Sequence, residues 1–416
     1  MATLSHTLLR VFLPFAAGYF LSYLFRVVNA VIAPDLIADI GVGPSALGML
    51  TASYFIAFAS FQLPLGVLLD RYGPRRVEAV LLVVAAVGAV LFSRADGLFG
   101  LVVGRALIGL GVSACLMASF KAYSLFFAKD KWPLINGLQM ASGGLGALAA
   151  TSPVEALLSI TDWRGVFLGL GGLTLLSAAL VFFVVPEQER SGPKGESIAN
   201  QLRGIREIFT SPVFWRTAPL ATASQAAFMS IHGLWAGPWL THVARLQRGE
   251  VAEVLFSLAA AMVAGYIIFG KVAERLGRRP GGEAATAIGG MFVSIAIQIL
   301  LLVVPSDASL PLWLAFGLFG TSGVICYSVL AKAFPLHLSG RVTTALNLLV
   351  FVAAFVGQWA IGAIIALVVA PGQPPTPQSF AVGFGVLILL QVLTLGYYFL
   401  ANPGRHNAAT TDAPRQ

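Results

Sequence analysis

The chain has 416 residues, of which 57% are hydrophobic and only 11% charged, and its mean hydropathy is +0.85. Soluble domains rarely exceed about half apolar residues, so this composition excludes an ordinary soluble enzyme and predicts a protein that lies in lipid. The formal charge of +8 does not indicate nucleic-acid binding, because the basic residues fall in short clusters between apolar runs.

Twelve apolar runs follow one another along the chain, separated by charged residues or by Gly and Pro. A membrane-spanning helix needs about 20 apolar residues, and each run is long enough. We therefore predict an all-α membrane protein with twelve transmembrane helices in two pseudo-symmetric six-helix bundles. The runs lie near 8–33, 45–69, 77–95, 98–127, 133–159 and 165–185, and then near 215–241, 251–272, 283–304, 308–334, 341–370 and 378–401.

One long polar stretch divides the chain. It predicts an N-terminal bundle over residues 1–186, a cytoplasmic linker over 187–214, a C-terminal bundle over 215–401 and a cytoplasmic tail over 402–416. In the linker, apolar residues recur at helical spacing among charges, which predicts an amphipathic helix at the membrane surface. A disordered linker is the alternative. The recurring residues are Ile198, Leu202, Ile205 and Ile208.

The orientation of the helices follows from Lys and Arg, since cytoplasmic loops carry an excess of them. With the N-terminus inside, 18 of these residues fall on the cytoplasmic side and four outside. We predict that both termini are cytoplasmic. The first run is too long for a signal-peptide core and is expected to remain as a helix.

Each half contains a copy of the same loop sequence. Gly66-Val-Leu-Leu-Asp70-Arg71-Tyr-Gly73-Pro-Arg75-Arg76 follows the second run, and Gly270-Lys-Val-Ala-Glu274-Arg275-Leu-Gly277-Arg278-Arg279 follows the eighth. Lys121 and Lys332 also correspond, because each has a Cys six residues before it, a Gly twelve before it and an Asn fifteen after it. Such matches in register indicate duplication, and a parallel repeat about an axis along the membrane normal.

These loops resemble the signature loop of the major facilitator superfamily. Leu101-Val-Val-Gly-Arg105-Ala-Leu-Ile-Gly109-Leu-Gly111 and Trp163-Arg164-Gly165 resemble further patterns of that family, so that the resemblance covers essentially the whole chain. It implies two bundles around a central cavity that opens to alternate sides. No enzymatic activity is expected, because the sequence contains no His/Asp/Glu cluster and no nucleophile with a neighbouring base.

The loop also makes physical sense as a latch between the halves. Its glycines permit close approach of helices, and Asp70 can accept hydrogen bonds from Arg or from amides at a helix N-terminus. The alternative is that its arginines only set the orientation. Gating or coupling is assigned to Gly66, Asp70, Arg71, Gly73, Arg75, Arg105, Glu274 and Arg275.

Ionisable residues inside membrane spans are costly and are therefore candidates for function. Four cations qualify, Arg26, Arg105, Lys121 and Lys332, whereas no Asp or Glu lies clearly inside a run. A cavity with cations and no buried acid favours an anionic solute. Tyr23-Leu-Phe-Arg26 resembles the Tyr-x-Asp-Arg element of the superfamily's organic-anion transporters, although Phe25 replaces the Asp.

Each cation also has a structural alternative. Arg26 can bond backbone carbonyls at a helix bend, Arg105 can bond carbonyls of the first span, and the two lysines can favour helix C-termini or reach the headgroups.

Further polar and aromatic residues at helical spacing are candidates for solute contact, with helix packing as the alternative. His232 is the only histidine within a run, and because imidazole exchanges protons near neutral pH it is also a candidate proton carrier. The full set of predicted solute-binding residues is Arg26, Asn29, Tyr54, Lys121, Gln225, His232, Trp235, Lys332 and Gln358.

The sequence thus predicts a monomeric secondary transporter of the inner membrane for an organic anion or metabolite, coupled to a proton or solute gradient. Its partners are a small solute and the lipid bilayer; no nucleic acid, cofactor or metal is expected. Two alternatives stay open at this point: proton-coupled efflux of drugs or amphipathic compounds, and a membrane receptor or sensor that keeps a transporter fold.

Overall fold

The computed structural model describes residues 6–41, 44–187, 198–303, 309–369, 373 and 375–401, and within these ranges all regular structure is helical. Residues 188–197 of the predicted linker and the predicted tail over 402–416 lie outside them.

The first half contains nine α-helices, and a π-helical turn at Leu8–Phe12 leads into the first of them. A bend of 45° separates α2 from α3, at Phe61. Pro64 lies in the first turn of α3, where the missing N–H and the fixed φ favour such a break. The helices are α1 (Leu13–Ile40), α2 (Pro44–Ser60), α3 (Gln62–Tyr72), α4 (Pro74–Ser93), α5 (Leu98–Val112), α6 (Cys115–Phe126), α7 (Trp132–Ala149), α8 (Ser152–Leu158) and α9 (Trp163–Val184).

The second half repeats this order after α10, the helix of the linker region. A π-helical turn at Ile231–Trp235 and a 3₁₀ turn at Gly320–Val324 interrupt two of its spans. The helices are α10 (Ile198–Thr210), α11 (Pro212–Ser230), α12 (Ala236–His242), α13 (Arg248–Leu276), α14 (Gly282–Val303), α15 (Leu310–Phe319), α16 (Ile325–Ala333), α17 (Ser339–Val368) and α18 (Pro377–Leu400).

The helices account for twelve membrane-spanning segments. Nine stretches of the described chain are long and apolar enough to cross a bilayer, and the bent pair α2 and α3 makes a tenth. The other two are interrupted spans, α7 with α8 and α11 with α12. The predicted all-α fold of two six-helix bundles is confirmed.

Each half has its own packed interior. In the first half α4 packs against α5 and α9, and α1 packs against α7; in the second half α11 packs against α17 and α18. Large apolar side chains such as Phe183, Leu367 and Leu400 lie exposed on the outside, which suits a surrounding of lipid tails.

The halves meet chiefly through two helix pairs, α3 with α17 and α7 with α13. Glycines allow the close approach: a Cβ at Gly66 would collide with the Thr344 hydroxyl, and a Cβ at Gly270 would lie 2.8 Å from the Pro133 carbonyl oxygen. Both contacts lie towards the end of the molecule where α3 stops at Tyr72 and α13 stops at Leu276. We call this the latch end.

Candidate functional site

Asp70 lies at the centre of a buried charged network at the latch end. Its Oδ1 is 2.8 Å from Nζ of Lys121 on α6, and its Oδ2 is 3.2 Å from Nε of Arg341 on α17. The backbone N–H of Gly340, in the first turn of α17, donates to the same carboxylate at 3.3 Å. These three charged side chains are at most 4% exposed. Because Arg341 belongs to the second half, the network joins the two halves.

Lys121 strengthens this junction with two further bonds to the second half. Its ammonium group donates to the Leu336 carbonyl oxygen at 2.8 Å and to Ser339 Oγ at 3.0 Å. Since these acceptors lie at and just before the start of α17, opening the latch end must break several bonds together.

The second loop copy is arranged differently. Glu274 pairs with Lys131 of the first half, and Lys332 pairs with Glu283 inside its own half. The side chain of Lys131 is 33% exposed, so this pair is more open to solvent screening than the Asp70 network.

The remaining residues of the first loop lie at the surface of the latch end. Arg75 donates from Nε to the Phe182 carbonyl oxygen at 2.7 Å, and Arg71 lies over the Tyr72 ring. Gly73 has φ of +80°, a conformation that favours glycine. In the second copy, the side chain of Arg275 is exposed.

A central cavity lies between the halves, with about 440 Å³ of space including its opening. Arg26 of α1 is its cation. Both halves contribute to the wall, which includes Tyr19, Ser22, Tyr23, Arg26, Phe58, Met140, Gln225, Met229, Tyr327, Asn347 and Phe351.

Aromatic rings surround the guanidinium of Arg26. Its Cζ is 4.5 Å from the ring centroid of Tyr23, 5.4 Å from that of Phe58 and 5.2 Å from that of Phe351, which belongs to the second half. Within the described ranges no carboxylate pairs with this cation, and its Nε, which is buried, makes no hydrogen bond. The site therefore offers a positive charge with free donor capacity between aromatic walls.

Of the other predicted solute-binding residues on the second half, Gln225 lines the cavity, and its amide donates to the Gly320 carbonyl oxygen at 3.1 Å. His232 stacks on Phe228 with ring centroids 5.3 Å apart. Trp235 donates to the Gln358 carbonyl oxygen at 3.0 Å, and the Gln358 amide donates to Met229. Trp235 and Gln358 thus make contacts between helices, and His232 packs on a ring of its own span; none of the three is part of the cavity wall.

Tyr54 and Arg105 pack against each other outside the cavity wall. Tyr54 is fully buried, and its hydroxyl donates to the Ser22 carbonyl oxygen. Arg105 lies 4.8 Å from the Tyr54 ring centroid and donates to the Phe25 carbonyl oxygen at 2.8 Å. A bond from Arg105 to a carbonyl of the first span is the structural role given above as the alternative to function.

The two lysines predicted to bind the solute lie outside the central cavity, with Lys121 in the Asp70 network and Lys332 on Glu283. Asn29 is buried, and its Oδ1 has no hydrogen-bond partner within the described part of the chain.

One expectation from the sequence is wrong: acids do lie inside the spans. Glu78 of α4 is fully buried, and Asp70, Glu274 and Glu283 are buried near helix ends. The sequence does place Glu78 within the predicted run 77–95. Because Glu78 lies beside the first residue of that run, its burial is not evident from the sequence.

A second feature that the sequence does not reveal is a polar bridge across the cavity. Asn347 of α17 donates from Nδ2 to Gln62 Oε1 of α3 at 2.9 Å, and the Tyr327 hydroxyl donates to Asn347 Oδ1 at 3.0 Å. The repeat includes Asn347, and Gln62 is a polar residue inside the predicted run 45–69, yet neither observation indicates which side chain each one meets.

Comparison with known proteins places this geometry in context. A family model described as Major Facilitator Superfamily matches residues 15–358. The probable sulfoacetate transporter of Cupriavidus necator is 23% identical over 294 residues, which are 68% of this chain and 68% of that one. The hexuronate transporter of Escherichia coli is 26% identical over 175 residues, 42% of this chain, and the match spans only 40% of that protein's length.

Among solved structures, the fucose:proton symporter of Escherichia coli superposes with a TM-score of 0.71, covering 92% of this chain and 98% of that one. The sequence identity is 14%, so this likeness is one of fold.

Proposed function

The chain belongs to the Major Facilitator Superfamily, and on that premise we propose that it carries a small organic anion across the inner membrane by alternating access. The observation that carries the proposal is Arg26, a cation without an acidic partner in the described structure, in a cavity between two bundles.

The environment of Arg26 favours an anion. Taking a guanidinium out of water is costly, and contact with aromatic faces returns only about 0.5–2 kcal/mol. A carboxylate or sulfonate between the halves would supply the missing charge. The planar guanidinium can bind such a group through two parallel hydrogen bonds.

The other cations predicted inside the spans have partners already. Lys121 and Lys332 meet carboxylates, and Arg105 donates to a backbone carbonyl. Arg26 is the member of this set left for a solute. The names of two relatives support the same class, since sulfoacetate and hexuronates are both organic anions.

The latch end supplies the gate in this proposal. Its contacts join the halves on one side of the cavity, so a path to that side opens only when the Asp70 network breaks. We place the latch end and both termini in the cytoplasm, because 18 of the 22 Lys and Arg residues in loops and at span ends fall on that side. The division into bundles at 1–186 and 215–401 is part of the same proposal.

Counterflow in proteoliposomes tests the function. Vesicles loaded with unlabelled sulfoacetate or glucuronate should accumulate the same labelled anion, and other small carboxylates and sulfonates should compete. R26Q should lose this activity by at least about tenfold, whereas R26K should transport with weaker apparent affinity, because it keeps the charge but not the paired donors.

The matched control is R203Q, on the exposed side of α10. It should behave as the unmodified protein does. Unchanged anion counterflow in R26Q would contradict the proposal. Inhibition by amphipathic cations, and not by anions, would favour drug efflux instead.

Labelling with a membrane-impermeant thiol reagent tests the orientation in cells. Both native cysteines, Cys115 and Cys326, are buried, so single exposed cysteines can report. A cysteine at Lys129 should be protected from outside, and one at His242 should be labelled. The reverse pattern would overturn the orientation.

A further inference from the structure

We propose that Glu78 binds and releases the transported proton, so that the anion moves together with H⁺. This inference rests on the proposed transport function and names the group that couples it. Nothing in the cavity or the latch network uses Glu78.

The position of Glu78 is unusual for an acid. Its side chain is fully buried on α4, and within the described structure neither carboxyl oxygen has a hydrogen-bond partner. It lies against α1 at Gly18, where a Cβ would be 2.5 Å from Glu78 Oε1. The carboxyl group thus occupies space that a side chain on α1 would otherwise fill.

The groups around Glu78 do not neutralise it. On α6, Cys115 and Tyr123 lie within electrostatic range, and neither is a cation. The Tyr123 hydroxyl donates to Gln139 Oε1 at 2.6 Å and so is already engaged. On α1, Tyr19 follows Gly18, and its hydroxyl donates to Met140 Sδ.

The nearest helices do carry cations, but each is committed elsewhere. Lys121 of α6 pairs with Asp70 of α3, and Arg105 of α5 donates to a carbonyl of α1. Arg164 of α9 pairs with Asp39.

Three further cations lie on the helices that flank Glu78, and none of them pairs with it. Arg26 lies further along α1, in the cavity. At the start of α4 itself, Arg75 and Arg76 pair with Glu187 at the surface.

A carboxyl group in such a place is far more stable as the neutral acid than as the ion. In the conformation with the latch end closed, one oxygen of Glu78 therefore holds a proton in an O–H bond. When water reaches the group, that bond breaks, the proton passes to water and the carboxylate remains. No other reactant is required.

Water would reach Glu78 from the latch end. A second cavity there, with about 540 Å³ of space including its opening, is lined by Asp70, Lys121 and Pro74. Pro74 precedes Glu78 by four residues, about one helical turn. Breaking the Asp70 network would widen this cavity towards Glu78, and so would tie proton release to opening of the latch end.

The first test needs no solute. Fluorescent labels on cysteines at Lys129 and Arg278, exposed positions on the two halves at the latch end, report opening by energy transfer in the full chain in lipid nanodiscs. Because the proton is bound in the closed form, raising the pH should open the latch end of the unmodified protein. E78Q, which imitates the neutral acid, should show the same degree of opening at every pH.

The control for this test is E207Q, an exposed glutamate on α10, which should keep the normal pH response. An unmodified protein whose latch end ignores pH would overturn the inference, as would an E78Q protein that opens with pH as the unmodified one does.

The second test uses labelled sulfoacetate in proteoliposomes. E78Q should retain counterflow to within about twofold but lose accumulation driven by a pH gradient. Accumulation that survives in E78Q would overturn the coupling role, and loss of counterflow together with accumulation would reduce Glu78 to a packing residue. If the unmodified protein carries neither sulfoacetate nor any other anion, the proposed function fails, whereas the pH response of the latch end still decides whether Glu78 is the proton site.

Discussion

The two halves carry the same residues at the latch end but pair them differently. In the first half Lys121 meets Asp70, and Arg341 of the second half binds the same carboxylate. In the second half the equivalent Lys332 meets Glu283, which leaves Glu274 to Lys131 of the first half. A duplicated sequence has therefore produced two kinds of contact, one deeply buried and one near the surface.

Burial decides which contact governs the latch. Removing one partner of a buried ion pair costs about 3–5 kcal/mol, whereas an exposed pair contributes about 0–1 kcal/mol. The Asp70 network is almost free of solvent, and the Lys131 side chain is not. The first copy should thus dominate closure even though the second copy also joins the halves.

The same comparison explains why one acid is left alone. Glu78 and Glu283 each lie in the first turns of the third span of their half. Glu283 has Lys332 as its partner, but the corresponding Lys121 is taken by Asp70. Asymmetric pairing is what leaves a buried carboxyl group available for a proton.

The largest effect is expected from D70N, which removes the negative charge at the centre of the buried network. It leaves Lys121 and Arg341 buried opposite a neutral amide, so the latch end should open and sulfoacetate counterflow should fall by at least about tenfold. Energy transfer between labels at Lys129 and Arg278 measures the opening. E274Q is the matched change in the other copy and should lower counterflow by no more than about threefold. Equal losses in the two variants would mean that burial does not set the strength of the latch.

A smaller difference should separate the two equivalent lysines. K121Q leaves Asp70 with Arg341 but removes the bonds to Leu336 and Ser339, and a loss of about 2–3 kcal/mol in the free energy that holds the latch closed is expected. K332Q removes a partly exposed pair within one half and should cost about 1 kcal/mol or less. Urea titration of the label signal compares them. A K332Q protein more open than K121Q would refute this ranking.

The smallest difference is expected between G66A and G270A. These variants test a feature that the halves share, the close approach of helices at a glycine. Each added methyl group would collide with the opposite half, with Thr344 in one case and with the Pro133 carbonyl in the other. Both variants should therefore favour the open latch end, to within about 1 kcal/mol of each other. If one variant closes normally, close helix approach is required on one side alone.

The fold was accessible from the sequence because hydropathy and the repeat are properties of the chain itself. The loop from Gly66 to Arg76 and its copy from Gly270 indicate close helix approach, and both do lie where the halves meet. The partners of individual side chains were not accessible. Spacing along one helix indicates a shared face, but it does not say which other helix that face meets.

Particular residues show this limit. The sequence predicts that Tyr54 and Lys121 contact the solute because they are polar and lie inside spans, yet Tyr54 packs on Arg105 and Lys121 bonds to α17. Glu78 lies at the start of a span, where acids are normally solvated, and the packing of α1 at Gly18 helps to bury it. Arg26 differs because no carboxylate pairs with it in the described part of the chain.

The central claim is that the unpaired charge of Arg26 selects the solute. The most direct measurement is the counterflow rate of the best transported anion relative to that of its uncharged carboxamide analogue, in the unmodified protein and in R26Q. We expect the unmodified protein to prefer the anion strongly and the rate ratio to fall to about unity in R26Q. The negative charge is the difference between the two solutes, and in R26Q the cation that binds it is gone. An R26Q protein that keeps the full preference for the anion would contradict it.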